Sequence, residues 1–390
     1  MLDEKELDQA IDHILSRFDE VNSFFIAKVA EQIKAIGELN ATSIHRIAIM
    51  TEMGANITEI TQRLRLATNR SIQDMMQVYQ VVLDDTYADP RFREALKHTA
   101  LTAADRARLT QYTQAVSIQT AQQLMNLSNT TVISGTYQEA VDTAILAVGS
   151  GLTDYRSATR QIVRKLGYNG MQVQYESGYH RRLDTAVRQN IIDGANQIAQ
   201  NCSIMMGEAL GFDAYEISAH ARSAPDHEPV QGRVFLKAEF EKMQAGRPFR
   251  DVDGKQYEAF RRPIGEWNCN HIAMSFSTQH SVRRYTDQQL AQWAADNAKG
   301  CDIGGKHYTT YAASQLMREI ETDIRREKDA AVAAQKTGDG VLRRQCQLRI
   351  NTLAAQYSAV ATASGVTPRR QRMQVEGFRA VKIQNKEKGT

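Results

Sequence analysis

LDQAIDHILSRFDEVNSFFIAKVAEQIKAI, residues 7–36, sets the fold class. Leu7, Ile11, Ile14, Phe18, Val21 and Phe25 recur at alternating spacings of four and three, and Val29, Ile33 and Ile36 continue the pattern loosely. On a helix of about 3.6 residues per turn these positions fall on one face, and the sustained spacing is that of a packing seam. One helix cannot bury its own stripe. The stripe therefore needs a partner, either another helix of this chain or a surface of a second subunit or another protein. The six residues from Leu7 to Phe25 are accordingly candidate partner-binding positions.

The helical pattern extends outward from this seam to about residue 167. Gly37, Gly54, the pair Asp89-Pro90 and a polar stretch from 126 to 135 punctuate it, and Gly167 reads as its end. Tyr168-Asn169-Gly170 reads as a tight turn before a short alternating stretch, 171–175, and a helix follows over about 181–210. The character then changes. Tyr215-Glu216-Ile217-Ser218 alternates like a strand, and Pro225, Pro229, Pro248 and Pro263, four of the six prolines, crowd the next fifty residues. Helices return after Asp287. Two of them, over about 308–335 and 341–363, flank Lys336-Thr337-Gly338-Asp339-Gly340 and read as an antiparallel hairpin that Gly365 caps. The expected fold is mainly α with a small loop-rich α+β module. It divides into a helical region 1–167, the module 168–285, a helical hairpin 286–367 and a basic tail 368–390.

Composition narrows the function classes. The 390 residues are 42% apolar with a formal net charge of +3, too small to require a nucleic-acid partner. The four cysteines, Cys202, Cys269, Cys301 and Cys346, are widely spaced and contain no CxxC, which argues against a disulfide framework. The acidic start is the opposite of a secretory leader, and no apolar run approaches a membrane span, so synthesis in a cytoplasm and no membrane partner are expected. Charge is polarised along the chain. Arg369, Arg370, Arg372, Arg379, Lys382, Lys386 and Lys388 make the last segment basic and are candidates for sequence-independent contact with DNA phosphates.

The module carries the most specific signal. The run Ser218-Ala-His220-Ala-Arg222-Ser-Ala-Pro225-Asp-His227-Glu-Pro-Val-Gln231-Gly232-Arg-Val-Phe235 resembles the signature of the phage minor capsid protein 2 family. Ser223-Ala224 separates Arg222 from Pro225, and Val230 stands where the family usually has Trp. Three further segments agree in order. They are the helix from Leu183 to Gly194, Trp267-Asn268-Cys269-Asn270-His271, and the helix from Tyr311 to Lys328. The resemblance covers about residues 150–380, and the first 150 residues show no specific match. It implies a structural virion protein, similar to Mu-type head morphogenesis proteins. Such a protein lies on the capsid interior near the portal and is made in the cytoplasm of a bacterial host. Its expected partners are the portal protein, other capsid-interior proteins, a sister copy and packaged double-stranded DNA. The family-motif residues are His220, Arg222, His227, Gln231, Gly232, Cys269 and His271, and no catalytic activity comes with them.

Two alternatives stand beside that reading. One is a virion-borne enzyme using His220, His227 and Asp226 as base and orienter, or a metal. The other is a DNA-binding protein ejected with the genome. His220, His227, Cys269 and His271 offer a ligand set suited to zinc, although their spacing is not that of a standard finger. The bland alternative is that the histidines hydrogen-bond loop backbone and Cys269 is a small buried apolar group. Glu239-Phe240-Glu241 is a Glu-x-Glu, but it precedes the nearest Ser-rich strand and sits in a helical segment, the wrong arrangement for an ADP-ribosyltransferase. No P-loop, HExxH or GxSxG occurs.

Overall fold

A computed structural model describes residues 4–38, 43–150, 155–259, 262–265, 269 and 271–383. Trp267, Asn268, Asn270, Lys386 and Lys388 lie outside the described residues. The described chain is mainly helical: α1 (Glu4–Glu38), α2 (Ser43–Tyr87), α3 (Pro90–Leu96), α4 (Ala103–Asn129), α5 (Ile133–Ser150), α6 (Tyr155–Asn169), α7 (Leu183–Ala209), α8 (Lys237–Gln244), α9 (Asp287–Lys299), α10 (Thr310–Thr337) and α11 (Gly340–Ser364). Among the described residues, nine short strands form four small antiparallel sheets. They are β1 (Gln172–Gln174) with β2 (His180–Arg182), β5 (Phe249–Arg250) with β6 (Gln256–Tyr257), β8 (Cys301–Ile303) with β9 (Lys306–Tyr308), and a three-stranded sheet in the order β4 (Val234–Leu236), β3 (Ala214–Ile217), β7 (Ala273–Phe276). No described helix is long and apolar enough to cross a membrane.

The chain folds into two compact units, each built from three segments. One comprises 1–11, 73–123 and 188–314, the other 12–72, 124–187 and 315–390. The linear boundaries read from the sequence do not coincide with these units, because the unit limits fall inside α1, α2, α4, α7 and α10.

Local chemistry explains most element limits. Asp89 caps α3 by accepting the Arg91 N–H, and Pro90 occupies the first helical position, where its missing donor costs nothing. Asp339 accepts the Val341 and Leu342 N–H groups at the start of α11, and Gly365 closes that helix in the left-handed region. Two expected breaks fall differently. Gly54 sits inside the continuous α2, since one glycine costs a helix only about 1 kcal/mol. Gly167 does not end α6. A Cβ there would meet Ala330 N at 2.5 Å, so the glycine lets α6 touch the backbone of α10, and Gly170, at φ 57°, follows the end of the helix.

In the first unit, the core under the three-stranded sheet is aromatic. Phe235, Phe249 and Tyr257 pack ring against ring, and Tyr215 meets Phe240. A buried cation anchors the central strand: the Arg91 guanidinium lies 2.7 Å from Asp89 and 2.9 Å from Glu216 on β3. Burial raises the Glu216 carboxyl above its ordinary range, against the pull of Arg91.

In the second unit, α10 buries three acids. Glu321, Glu327 and Asp329 are buried. Glu321 accepts the Tyr357 hydroxyl at 2.7 Å, while Arg325 pairs with Asp184. Glu327 accepts the Tyr168 hydroxyl at 3.0 Å and the Arg349 Nε at 3.0 Å. Helix periodicity places these acids on the α10 surface but does not reveal which face is covered. The basic segment after Pro368 is likewise no free tail over its described part. It runs as a strap along the hairpin. The Arg369 N–H donates to Tyr357 Oη at 2.7 Å, Lys328 Nζ to Met373 O at 2.6 Å, and the Val381 N–H to Gln347 Oε1 at 3.0 Å.

Candidate functional site

The site grows from the ends of β3 and β7. Past the strands the pairing continues, because the Ser218 N–H donates to Ile272 O and the Ile272 N–H donates to Ser218 Oγ, both at 2.9 Å. This brings the segment after β3 beside the segment before β7, and with it His220 beside His271. A turn then carries the chain through His227 and back. The His227 N–H donates to Ala224 O at 3.0 Å, the Gln231 N–H to His227 O at 3.1 Å, and the Gly232 N–H returns to Ile217 O at 2.8 Å. Gly232 has φ 66°, and a Cβ there would come within 2.8 Å of the Leu290 methyls, so both backbone and packing demand glycine.

Three side chains converge. His227 Nδ1 lies 3.1 Å from Cys269 Sγ, and His271 Nδ1 lies 3.5 Å from the same sulfur. All three residues are buried. Their outward atoms are also held. His227 Nε2 is 2.7 Å from the Arg262 carbonyl, which can only accept, so that nitrogen carries the proton. His271 Nε2 is 3.4 Å from Gln231 Oε1 and 3.3 Å from Ser223 Oγ. The His220 backbone N–H donates to the same Gln231 Oε1 at 3.1 Å, which fixes the amide oxygen toward the site and makes His271 Nε2 a donor. Both Nδ1 lone pairs therefore point at one sulfur.

The electrostatics agree. Burial holds His271 well below its ordinary range, and His220 and His227 add to the shift. Burial also lowers His227, against the Arg262 carbonyl and Asp226. Burial pushes the Cys269 thiol up, although the Gly265 and His271 N–H groups pull it down. Two neutral imidazoles and a thiol with a raised pKa do not make an activated nucleophile. Asp226 is committed elsewhere, bonding Arg262 at 2.8 and 3.0 Å, and stands 3.8 Å from His227 Nε2.

The four residues of the sequence-level ligand set do not behave alike. His227, Cys269 and His271 form one group whose ligand atoms lie within 4.8 Å of one another. His220 stands outside it, half-buried, its ring stacked on His271 with centroids 4.5 Å apart. Arg222 is half-buried in the turn. Sequence reading missed Ser223, buried against His271, and the Arg262 carbonyl. Ser223 entered only as a departure from the family pattern, and a main-chain carbonyl leaves no trace in residue type.

The other candidates lie elsewhere. Ile11, Ile14, Phe18, Val21 and Phe25 are buried within the chain itself, and Leu7 is half-buried, so the stripe is core rather than open surface. The intramolecular alternative describes it, because other segments of the same chain cover it. Of the basic residues, Arg370, Arg379 and Lys382 are exposed on the strap. Arg369 and Arg372 are half-buried, with Arg372 Nε 3.5 Å from Asp12.

The chain combines long helices with a small module in which His227, Cys269 and His271 converge. The family model described as phage minor capsid protein 2 matches residues 2–360, and the chain belongs to that family. The match takes in the N-terminal helices, where no motif had been legible. It supports a structural role in the bacteriophage capsid and a place in the virion. No curated protein and no solved structure matches the chain.

Proposed function

We propose that this protein is a non-enzymatic minor head component bound at the portal on the capsid interior, where it serves head morphogenesis and DNA packaging or ejection. The observation that carries the reading is the family match over nearly the whole chain. The buried module agrees with it. His227 is neutral, enclosed and hydrogen-bonded to main chain, a role in holding loops rather than moving protons. With the stripe buried, the portal contact falls to surfaces outside Leu7, Ile11, Ile14, Phe18, Val21 and Phe25. The exposed Arg370, Arg379 and Lys382 give the strap a face for packaged DNA.

The test is a reciprocal pull-down between the full chain and the portal protein of the same phage, with mass spectrometry of purified virions alongside. The expected result is co-purification, and a few copies per virion that are absent from heads assembled without portal. A protein abundant in infected cells but missing from purified virions would remove the reading. Failure to bind portal, with the protein still present in portal-free heads, would move the contact to the shell.

A further inference from the structure

We infer that His227, Cys269 and His271 bind one zinc ion, with Cys269 as thiolate. Three independent features point there. The first is spacing. Zinc bonds of about 2.3 Å to sulfur and about 2.0–2.1 Å to nitrogen put the sulfur–nitrogen edge of a tetrahedron at about 3.5 Å. The two edges here are 3.1 and 3.5 Å.

The second feature is the proton count. Arg262 O fixes the proton of His227 on Nε2, and Gln231 Oε1 fixes that of His271 on Nε2. Two lone pairs then face the Cys269 sulfur. A cation satisfies both imidazoles and the sulfur together, and the His271 N–H donates to the same sulfur at 3.3 Å.

The third feature is the outer shell. Ligating histidines characteristically donate their far nitrogen to a carbonyl or carboxylate, which orients the ring. Both rings do so here, one to a main-chain carbonyl and one to a side-chain amide whose own orientation is pinned by the His220 N–H.

Donor chemistry selects the metal. Imidazole and thiolate favour zinc over calcium or magnesium, which take oxygen. Among the described residues no carboxylate joins the group, and Asp226 is held by Arg262. The ion would tie the turn after β3 to the segment before β7, where the regular structure amounts to strands of three and four residues. In such a module a metal supplies folding energy directly.

The experiment uses the full chain, purified without a metal-binding tag from cells grown with added zinc. Elemental analysis is expected to find a single zinc per chain. Stripping with a chelator should lower the thermal midpoint, and zinc, not magnesium, should restore it. Cobalt substitution should give a thiolate-to-metal charge-transfer band that Cys269→Ala abolishes and Cys346→Ala keeps. His220→Ala should retain the metal; loss of zinc there would overturn the three-ligand assignment. Gln231→Ala, which unpins His271 without removing a ligand, should weaken zinc affinity by about 10- to 100-fold. Should Cys269→Ala fail to fold, the wild-type protein decides: zinc-free chain whose midpoint responds neither to chelator nor to zinc would overturn the inference.

Discussion

Arg182→Met tests the energetics of the second unit most sharply. The Arg182 guanidinium lies 3.2 Å from Asp329 and 3.4 Å from Asp184, and all three residues are buried. Burial raises the Asp329 carboxyl to about 6, against the pull of Arg182. Burial likewise raises Asp19 to about 7, with the Asp184 anion adding to the shift. Methionine keeps most of the aliphatic length and deletes the charge. Removing one partner of a buried ion pair costs about 3–5 kcal/mol. The cost has a ceiling, since Asp329 can escape by taking a proton. From the folded pKa of about 6, that proton costs about 1.4 kcal/mol at pH 7 and almost nothing at pH 5. The sign follows. A carboxyl whose folded pKa is raised stabilises the protonated fold below about pH 4, and that contribution is lost as pH rises through about 6 to 7. The variant should therefore lose about 3 kcal/mol at pH 7 and about 1.4 kcal/mol less at pH 5. Urea unfolding of wild type and variant, followed by far-UV circular dichroism at both pH values, reads the difference. A cost below about 1 kcal/mol at pH 7, or one equal at the two pH values, would refute the argument that Arg182 compensates buried carboxylates.

Two further outcomes follow from packing and charge. Gly167→Ala forces a methyl to within 2.5 Å of the Ala330 backbone, so it should destabilise by about 1–3 kcal/mol or more, measured by chemical denaturation; a neutral effect would mean that α6 and α10 are not in backbone contact. Replacing Arg370, Arg379 and Lys382 together by alanine should leave the helical spectrum unchanged and reduce the slope of log affinity for duplex DNA against log salt by about 2.7, measured by fluorescence anisotropy. An unchanged slope would take the strap out of the DNA reading.

Residue pattern made much of this protein legible. The 3.6-residue periodicity of the N-terminal stripe gave a long helix, Asp89-Pro90 gave a helix break, and the Lys336-to-Gly340 turn gave the hairpin, because each depends on chemistry within a few residues of chain. The motif from Ser218 to Phe235 gave the family for the same reason: its residues serve one another across a single turn. The structure alone decided what depends on contacts between distant segments. The stripe is core because other segments of the chain lie on it. Glu321 answers Tyr357, 36 residues away, and Arg325 answers Asp184, 141 residues away. The basic segment is a strap because Tyr357, Lys328 and Gln347 hold its backbone. Four histidines and cysteines of similar promise became a triad and a stacked neighbour, because the register of β3 on β7 sets which nitrogens reach the sulfur. Local periodicity and capping are written residue by residue; which buried charge meets which, and which lone pairs converge, is set only when separate segments come together.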